Sequence, residues 1–511
     1  MSKRGGDIVK EKMELTIGNS LFLLFPLLLL FHSLARKINP KRLPPGPKGY
    51  FLIGNMMEIG HNPHQSLAKL ADSYGPIMTL KLGQMTSIVI SSPSMAKQVL
   101  QSHDQVLSDR MYPDATTIYD HHKVALPWLP VCDLWRTLRK LCNNHMFSEN
   151  TLHMNYTIRL KKIQRLLADV QESATKGEAV DIERVVFVTT LDMLSNMIFS
   201  VDLSDEYSNI YEKGQEFKEA VWGIMEEAGR SNVGDLFPML KKMDLQGCRR
   251  RMMAHMNKFL DIIDDMIGKR MKEPNLGEEN DMLHNLLNLA KESEDAKFHL
   301  HLIKHLILVL FPAGTDTTTS TVEWAMAELL RKPKVLSKAK AELKEVIGEG
   351  TAVDESDWVR LPFLQQIIKE TLRLHPPAPL LLPHKAREDA EIGGFVVPKN
   401  ARVIVNAWKI GRDKGVWEDA DSFKPERFLG SDVDYKGRHF ELIPFGSGRR
   451  ICPGLSLATK MVHWILASLI HSFHWRLEDG IQPETMNMEE KTGLTLAMAR
   501  PLRAIPFNES S

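Results

Sequence analysis

The ten residues Phe445–Gly454 constrain this chain more than any other stretch, because one cysteine stands there among glycines and arginines. The glycines permit turns that a side chain would forbid, so the loop can bring amide N–H groups close to the sulfur of Cys452. Arg449, Arg450 and the N-terminus of the helical pattern that follows are expected to lower the pKa of this thiol. A thiolate held in this way is a soft ligand suited to iron. A lone cysteine is more often a small buried hydrophobe, so the neighbours carry this interpretation.

The spacing of this loop, Phe445-x-x-Gly448-x-Arg450-x-Cys452-x-Gly454, resembles the haem-binding signature of the cytochrome P450 superfamily. The resemblance implies haem b as the cofactor, with the thiolate of Cys452 as the axial ligand of its iron. It also implies that Arg450 faces a haem propionate and that Phe445 belongs to the cofactor-binding residues. A thiolate ligand pushes electron density through haem and favours cleavage of bound oxygen.

Composition favours one large domain without a nucleic-acid partner, since the 511 residues carry a formal net charge of only +1 and contain no long low-complexity linker. The four cysteines include no CxxC pair, which argues against a disulfide framework and fits a reducing compartment. His121 and His122 have no further ligands at helical spacing, so no metal site is expected there.

Ile77–Leu82 and Ser87–Ser91 predict a β-hairpin. The resemblance implies a mainly α fold with small β-sheets, the cytochrome P450 fold behind an N-terminal membrane anchor.

The N-terminal segment Leu21–Leu34 is almost entirely apolar, and extension back to Leu15 supplies the roughly 20 residues that a membrane-spanning helix needs. A cleaved signal peptide and an uncleaved anchor are the two possible interpretations. Basic residues at positions 36, 37, 41 and 42 form a stop after the apolar run and favour the anchor. Basic residues upstream leave the orientation open unless translation starts at Met13. The resemblance to microsomal P450s implies a single-pass protein of the endoplasmic reticulum membrane, with its catalytic domain facing the cytosol.

The predicted organisation has three parts. Residues 1–35 are the N-terminal segment with the transmembrane anchor, residues 36–49 are a basic proline-rich hinge, and residues 50–511 are the haem-thiolate catalytic domain. The hinge contains Leu43–Pro47, whose three prolines fix φ and remove amide donors. This segment is therefore expected to act as a stiff spacer between the anchor and the domain.

A long helical pattern over His301–Leu330 is interrupted by the polar run Ala313–Thr318. Glycine and clustered threonines are poor interior residues of a helix, so the run needs a reason. One reason is structural, because threonine hydroxyls that bond to the carbonyl four residues back bend a helix. The other is functional, because the run matches the oxygen-activation motif of the P450 family and places Asp316 and Thr317 at its acid and alcohol positions. The resemblance assigns these two residues to proton delivery, and Pro312 is expected to deepen the bend.

The resemblance places three more residues at the haem. Trp135 and Arg139 are four apart on a predicted helix, share a face, and match the Trp-x-x-x-Arg pair with which the family holds a haem propionate. His384 stands where the family often directs a histidine or an arginine toward a propionate. It follows the apolar, proline-rich stretch Pro376–Pro383, which lines the substrate pocket in the family, and the irregular residues 105–130 would cap that pocket.

An amphipathic helix is predicted over residues 361–375. Glu370 and Arg373 are three apart on it and match the Glu-x-x-Arg motif of the family. Arg427 lies in a later segment that matches the family's Pro-Glu-Arg-Phe element. The family joins these three side chains into a buried charged network, which is expected to fix the segment before the cysteine loop.

The narrower resemblance is to plant microsomal enzymes of the geraniol 8-hydroxylase and ferruginol synthase group, on the segments Asn62–Leu67, Pro376–Pro383 and Glu441–Arg450. It implies hydroxylation of a small apolar substrate, expected to be a terpenoid, with O2 and with electrons from NADPH through NADPH–cytochrome P450 reductase. The predicted pocket lining carries no charge and consists of Tyr112, Tyr119, Val309, Ala313, Ala378, Leu380 and Leu494.

Other functions stay open at this point. An oxygen-independent haem-thiolate isomerase or dehydratase is one alternative, and the presence of both Asp316 and Thr317 argues against it. A haem-binding protein without turnover and a hydroxylase of a non-terpenoid plant metabolite are the others.

Overall fold

The structure is a computed structural model that describes residues 42–203, 211–272, 281–291, 296–478 and 480–508. The predicted anchor of residues 1–35 lies outside these ranges. Within them, no helix has both the length and the hydropathy needed to cross a membrane. The described residues are mostly helical and their sheets are small, which confirms the predicted fold class.

Helices form the framework of the domain, and proline occupies the first turn of several of them, where its missing N–H costs nothing. The helix predicted over residues 361–375 is confirmed as an α-helix over Pro362–Leu374. The α-helices are α1 Pro63–Tyr74, α2 Pro93–Lys97, α3 Asp104–Leu107, α4 Asp133–Cys142, α5 Glu149–Met154, α6 Tyr156–Lys176, α7 Ile182–Phe199, α8 Tyr211–Gly229, α9 Val233–Leu236, α10 Cys248–Lys272, α11 Met282–Lys291, α12 Ala296–Arg331, α13 Pro333–Ile347, α14 Pro362–Leu374, α15 Ala407–Ile410 and α16 Leu455–Ser472.

The strands are β1 Ile77–Leu82, β2 Met85–Ile90, β3 Asp109–Arg110, β4 Val180–Asp181, β5 His384–Lys385, β6 Ala390–Ile392, β7 Phe395–Val397, β8 Arg402–Val405, β9 His474–Leu477, β10 Glu490–Thr492, β11 Leu496–Met498 and β12 Arg503–Phe507. The largest sheet has the order β1-β2-β8-β5-β3, a second has the order β4-β12-β9, and β6-β7 and β10-β11 are separate pairs. Leu82 pairs with Met85, which confirms the predicted hairpin. The β3–β5 pairing sets Arg110 opposite His384.

The core of the domain is built around α12, against which α7, α14 and α16 pack. Phe311 of α12 is fully buried and contacts the rings of Phe199, Phe217 and Phe259 at centroid distances of 4.8 to 6.4 Å. These rings come from the end of α7, from α8 and from α10. Burial of each aromatic side chain contributes roughly 1.5–3 kcal/mol. This aromatic contact therefore holds α8 and α10 firmly on the central helix.

The polar run of α12 does not interrupt the helix, which is continuous through Pro312 from Ala296 to Arg331. The hydroxyls of Thr315, Thr317 and Thr318 donate to the carbonyls four residues back, at 2.8 to 2.9 Å. This is the back-bonding that the structural interpretation of the run predicts. A Cβ atom at Gly314 would lie 2.7 Å from a methyl carbon of Leu194 on α7, so glycine permits the close contact of these two helices.

The predicted charged network is confirmed. Glu370 accepts hydrogen bonds from Nε and Nη2 of Arg373 at 2.7 and 2.8 Å and from Nε of Arg427 at 3.0 Å. Arg373 also donates to the carbonyls of Gly411 and Ala420 at 2.5 and 2.6 Å. These bonds join α14 to the segment that leads to the cysteine loop, so the network positions the site described next.

Candidate active site

The loop around Cys452 is closed by its own backbone, because the Cys452 N–H donates to the carbonyl of Phe445 at 2.9 Å. Gly446 and Gly448 take φ values of +71° and +64°, in the left-handed region. A Cβ atom at Gly448 would also lie 2.0 Å from the carbonyl oxygen of Leu100, so a larger residue does not fit there. The loop therefore presents the sulfur at a fixed place, at the start of α16.

The electrostatic surroundings of Cys452 differ from the prediction. Burial raises the pKa of the thiol, and the groups that oppose this effect are a backbone N–H at the start of α16 and Arg139. Arg449 instead pairs with Asp104 at 2.8 Å, and Arg450 is directed toward backbone carbonyls on the other side of the loop. The predicted lowering of the thiol pKa is therefore wrong, since burial outweighs both the helix terminus and Arg139. A bound metal cation supplies the charge that stabilises such a buried thiolate.

Three basic side chains, Arg110, His384 and Arg450, meet beside this loop and are called the basic cluster below. Arg110 and His384 face each other across the β3–β5 pair. Arg450 donates to the carbonyl of Ser108 at 2.8 Å, and Arg110 donates to the carbonyl of Leu382. Nδ1 of His384 donates to the carbonyl of Leu107 at 2.7 Å, so all three groups are held by backbone acceptors and not by acidic side chains.

No carboxylate within the described ranges forms an ion pair with the basic cluster, and the pKa values reflect this. Burial, reinforced by the charge of Arg450, lowers the pKa of Arg110 to about 9, and burial lowers the pKa of Arg450 to about 10. Burial and then Arg110 hold the pKa of His384 well below its ordinary value. Nε of Arg110 is buried and has no hydrogen-bond partner among the described residues. Unpaired buried cations are costly, so the cluster fits an anionic group such as the propionates of a haem.

Trp135 and Arg139 on α4 continue this arrangement toward the cysteine. The guanidinium carbons of Arg450 and Arg139 lie 4.9 and 5.6 Å from the centroid of the Trp135 ring. Burial lowers the pKa of Arg139, and the charge of Cys452 opposes that shift. The structure therefore brings together five residues that the sequence singled out: Trp135, Arg139, His384, Arg450 and Cys452.

The acid and alcohol of α12 lie on a strip of the helix that its neighbours leave uncovered. Ala313 is exposed and Gly314, Asp316 and Thr317 are half-buried, although residues 310–312 just before them are buried. Burial raises the pKa of Asp316 to about 6, against the opposing effects of a hydrogen bond from Thr495 and the charge of Lys491. A carboxyl group with a pKa in this range can take up and release a proton near neutral pH.

The segment of residues 105–130, predicted to be irregular, contains the end of α3, the strand β3 and a 3-10 helix over Asp114–Lys123. Two histidines connect this segment to α12. Nδ1 of His121 lies 2.7 Å from Nδ1 of His305, and both side chains are buried. Burial lowers the pKa of each to about 3, so both are neutral near pH 7 and one donates to the other. The rings of Tyr112 and His122 pack against each other at 4.7 Å. The contact between His121 and His305 holds this segment against the N-terminal half of α12.

Sequence reasoning missed Arg110, His305 and Thr495. Arg110 carries no local signal, since only the pairing of β3 with β5 brings it to His384. His301 and His305 do stand at the i, i+4 spacing, and that pattern could have been noticed. Thr495 lies 179 residues from Asp316 in a short hairpin, and no local pattern predicts their contact.

Comparisons with known proteins identify a family and a similar fold. The sequence model of the family "Cytochrome P450" matches residues 44–502. The chain is 49% identical over 489 residues to a geraniol 8-hydroxylase of Catharanthus roseus, which covers 95% of this chain and 98% of that enzyme. It is 50% identical over 466 residues to a geraniol 8-hydroxylase of Swertia mussotii, which covers 91% of this chain and 93% of that enzyme. A solved zebra fish cytochrome P450 structure with progesterone has a similar fold, with a TM-score of 0.73 at 23% identity, over 87% of this chain and 99% of that one.

Proposed function

The chain belongs to the cytochrome P450 family and is a haem-thiolate monooxygenase, and we propose that it hydroxylates a small apolar substrate of the terpenoid class. The observation that carries the substrate class is the similarity, along nearly the whole chain, to two geraniol 8-hydroxylases. The uncharged residues predicted to line the pocket support it. Apolar surface buried from water contributes about 25 cal/mol per Å², which favours an apolar ligand in such a pocket.

Haem, when bound, supplies the oxygen activation and the substrate oxidation that no side chain of this protein provides. We assign the iron ligand to Cys452, because the closed loop presents its sulfur at the start of α16. We assign the basic cluster and Trp135 to the haem propionates. The unpaired Nε of the buried Arg110 supports this assignment, since two carboxylates would neutralise the cluster and complete its hydrogen bonds.

Asp316 and Thr317 are proposed to handle protons. Asp316 takes up a proton at its carboxylate and passes it toward Thr317, because its pKa is close to neutrality. Thr317 donates its hydroxyl to the carbonyl of Ala313 at 2.8 Å, and a rotation of its side chain can turn that donor toward the oxygen-binding side of α12. Loss of this ordered delivery is expected to release hydrogen peroxide in place of hydroxylated product.

Membrane association is proposed from the predicted anchor and from an exposed apolar surface. The turn between β1 and β2 binds two apolar segments, since Gly83 N–H donates to the carbonyl of Ile53 at 3.1 Å and Gln84 N–H donates to that of Leu236 at 2.9 Å. Side chains from these adjoining segments are strongly exposed: Tyr50, Phe51, Leu52, Met57, Met239, Met243 and Leu245. Exposed apolar side chains on two adjoining segments next to the hinge fit contact with a lipid bilayer. The endoplasmic reticulum is the proposed membrane.

The proposed electron donor is NADPH–cytochrome P450 reductase, docked near the cysteine loop. The hydroxyl of Ser447 in that loop donates to the carbonyl of Gly437 at 2.6 Å, which brings the exposed Lys436 and Arg438 beside the loop. Lys140 on α4 is exposed as well. Positive charge around the loop would favour an acidic partner surface.

The test is turnover in membranes that contain the full-length protein and the reductase. A panel of terpenoid alcohols and hydrocarbons, beginning with geraniol, is supplied with NADPH and isotope-labelled dioxygen. Incorporation of one labelled oxygen atom into a terpenoid supports the proposal. A product without the label indicates the isomerase or dehydratase alternative, and labelled turnover only of phenolic or other non-terpenoid compounds overturns the substrate class. Cys452→Ser is the inactive control.

A further inference from the structure

The tip of the β10–β11 hairpin carries a hydroxyl group that contacts the acid of α12. Oγ1 of Thr495 donates to Oδ2 of Asp316. In the part of the chain that the structure describes, no other side chain hydrogen-bonds to this carboxylate. One oxygen of the acid is therefore held by the hairpin, and the other is left to water or to a reacting group.

The hairpin is itself fixed, so the hydroxyl is held in place. Ser320, one turn after Asp316 on α12, donates through Oγ to the carbonyl of Leu496 at 2.6 Å. The N–H of Leu496 donates to the carbonyl of Pro377 at 2.9 Å. On the other side the end of α8 packs tightly on the tip, since a Cβ atom at Gly229 would lie 2.4 Å from the backbone nitrogen of Leu494.

We propose that Thr495 is a positioning residue for Asp316, whose hydroxyl holds Oδ2 at the hairpin and leaves Oδ1 to exchange protons beside Thr317. This inference rests on the proton-handling role proposed above for Asp316 and adds the group that orients it. A carboxylate with one oxygen fixed presents the other oxygen in one direction, which favours ordered proton transfer. Thr495 acts through Asp316 and need not touch the substrate or the haem.

The charges around this carboxyl determine how its titration responds to the loss of the hydroxyl. Lys491 faces it from β10 and lowers its pKa, as the hydrogen bond from Thr495 does. The charge of Asp316 in turn contributes to raising the pKa of Glu183 on α7 and of Glu323 on α12, after the larger effect of burial on each. A hydrogen bond donated to a carboxylate favours its ionised form, so removal of the Thr495 hydroxyl is expected to raise the pKa of Asp316.

The experiment compares three single variants of the full-length, haem-loaded protein. Thr495→Val removes the hydroxyl at nearly constant volume, and Thr495→Ser restores it. Ser320→Ala is the matched control, because it removes a different bond between the hairpin and α12 and leaves the Asp316 contact intact. Coupling, measured as product and peroxide per NADPH with geraniol as the probe, is followed from about pH 5.5 to pH 8.5. Infrared difference spectra of the resting protein follow the protonated carboxyl band over the same range and need no substrate, with Asp316→Asn to assign the band.

In Thr495→Val, the midpoint of the Asp316 band is expected to move up by about half a pH unit or more, and coupling is expected to fall several-fold near pH 7. Thr495→Ser and Ser320→Ala should retain the wild-type midpoint. An unchanged midpoint and coupling in Thr495→Val, or equal changes in Ser320→Ala, would show that the hydroxyl only anchors the hairpin and would overturn the proposal. Adding Thr495→Val to Asp316→Asn should cause no further loss of coupling, because Thr495 acts through Asp316.

The same series separates failure of this inference from failure of the proposed function. If Asp316→Asn retains wild-type coupling, the proton-handling role of Asp316 is wrong and the inference falls with it. If Asp316→Asn is impaired and Thr495→Val is not, only the positioning role of Thr495 is overturned.

Discussion

Replacement of Glu370 by alanine tests how the fold fixes the cysteine loop. Glu370 is completely buried and accepts four hydrogen bonds, two from Arg373 and one each from Arg427 and the backbone N–H of Lys424. Alanine leaves the buried guanidinium of Arg373 with backbone carbonyls as its only acceptors among the described residues. Breaking a buried ion pair in this way costs about 3–5 kcal/mol. The Lys424 N–H also loses its partner, so a loss of at least about 3 kcal/mol is expected.

The neighbouring Glu426 provides a matched control in the same segment. Its carboxylate pairs with Lys338 at 3.0 Å, and both side chains are about half exposed, so Glu426→Ala should cost less than about 1 kcal/mol. Urea titration of the haem-loaded proteins, followed by tryptophan fluorescence and by the haem absorption of the thiolate complex, measures both free energies of unfolding. The haem signal should be lost at a lower urea concentration in Glu370→Ala than in Glu426→Ala. Free energies of the two variants within about 1 kcal/mol of each other would refute the claim that this network stabilises the site.

Three further predictions concern single side chains. Cys452→Ser should lose the ferrous–CO absorption typical of thiolate ligation, whereas Cys142→Ser should retain it. If Cys452→Ser retains both that band and turnover, the assignment of Cys452 as the iron ligand is wrong. Thr317→Ala should retain haem and substrate binding but divert electrons from NADPH to hydrogen peroxide, whereas Thr318→Ala should remain coupled. Equal coupling in both variants would show that Thr317 only bends the helix. Glu323 is buried, and burial raises its pKa from 4.5 to about 8, so between these values the folded protein keeps a proton that the unfolded chain has released. The free energy of unfolding should therefore fall as pH rises through this window, by up to about 1.4 kcal/mol per pH unit. Urea titrations at a series of pH values should show a shallower fall in Glu323→Gln. An identical slope in the variant would contradict the raised pKa of Glu323.

Local pattern was enough to predict several features of this protein because their causes are local. The amphipathic pattern and a first-turn proline predict α14, and the three-residue spacing predicts the pairing of Glu370 with Arg373. Both features depend on the geometry of a single helix. Alternation of side chains around Gly83 and Gln84 predicts the first hairpin for the same reason. The cysteine loop combines glycines, a proline and a sulfur within ten residues. Its resemblance to the P450 signature predicts the family and the haem cofactor, and the match to the family model confirms the family.

The surroundings of the candidate site depended on contacts between distant segments. Burial raises the pKa of Cys452, which is opposite to the shift that its neighbours in sequence suggested. Arg110 meets His384 only because β3 pairs with β5, which lies 274 positions later, and Asp316 meets Thr495 only because the C-terminal hairpin folds back on α12. Local sequence determines backbone conformation and the spacing of side chains along one element. Burial, unpaired charge and the orientation of an acid arise only when the elements pack, and these properties decide how the candidate site can bind an anionic cofactor and transfer protons.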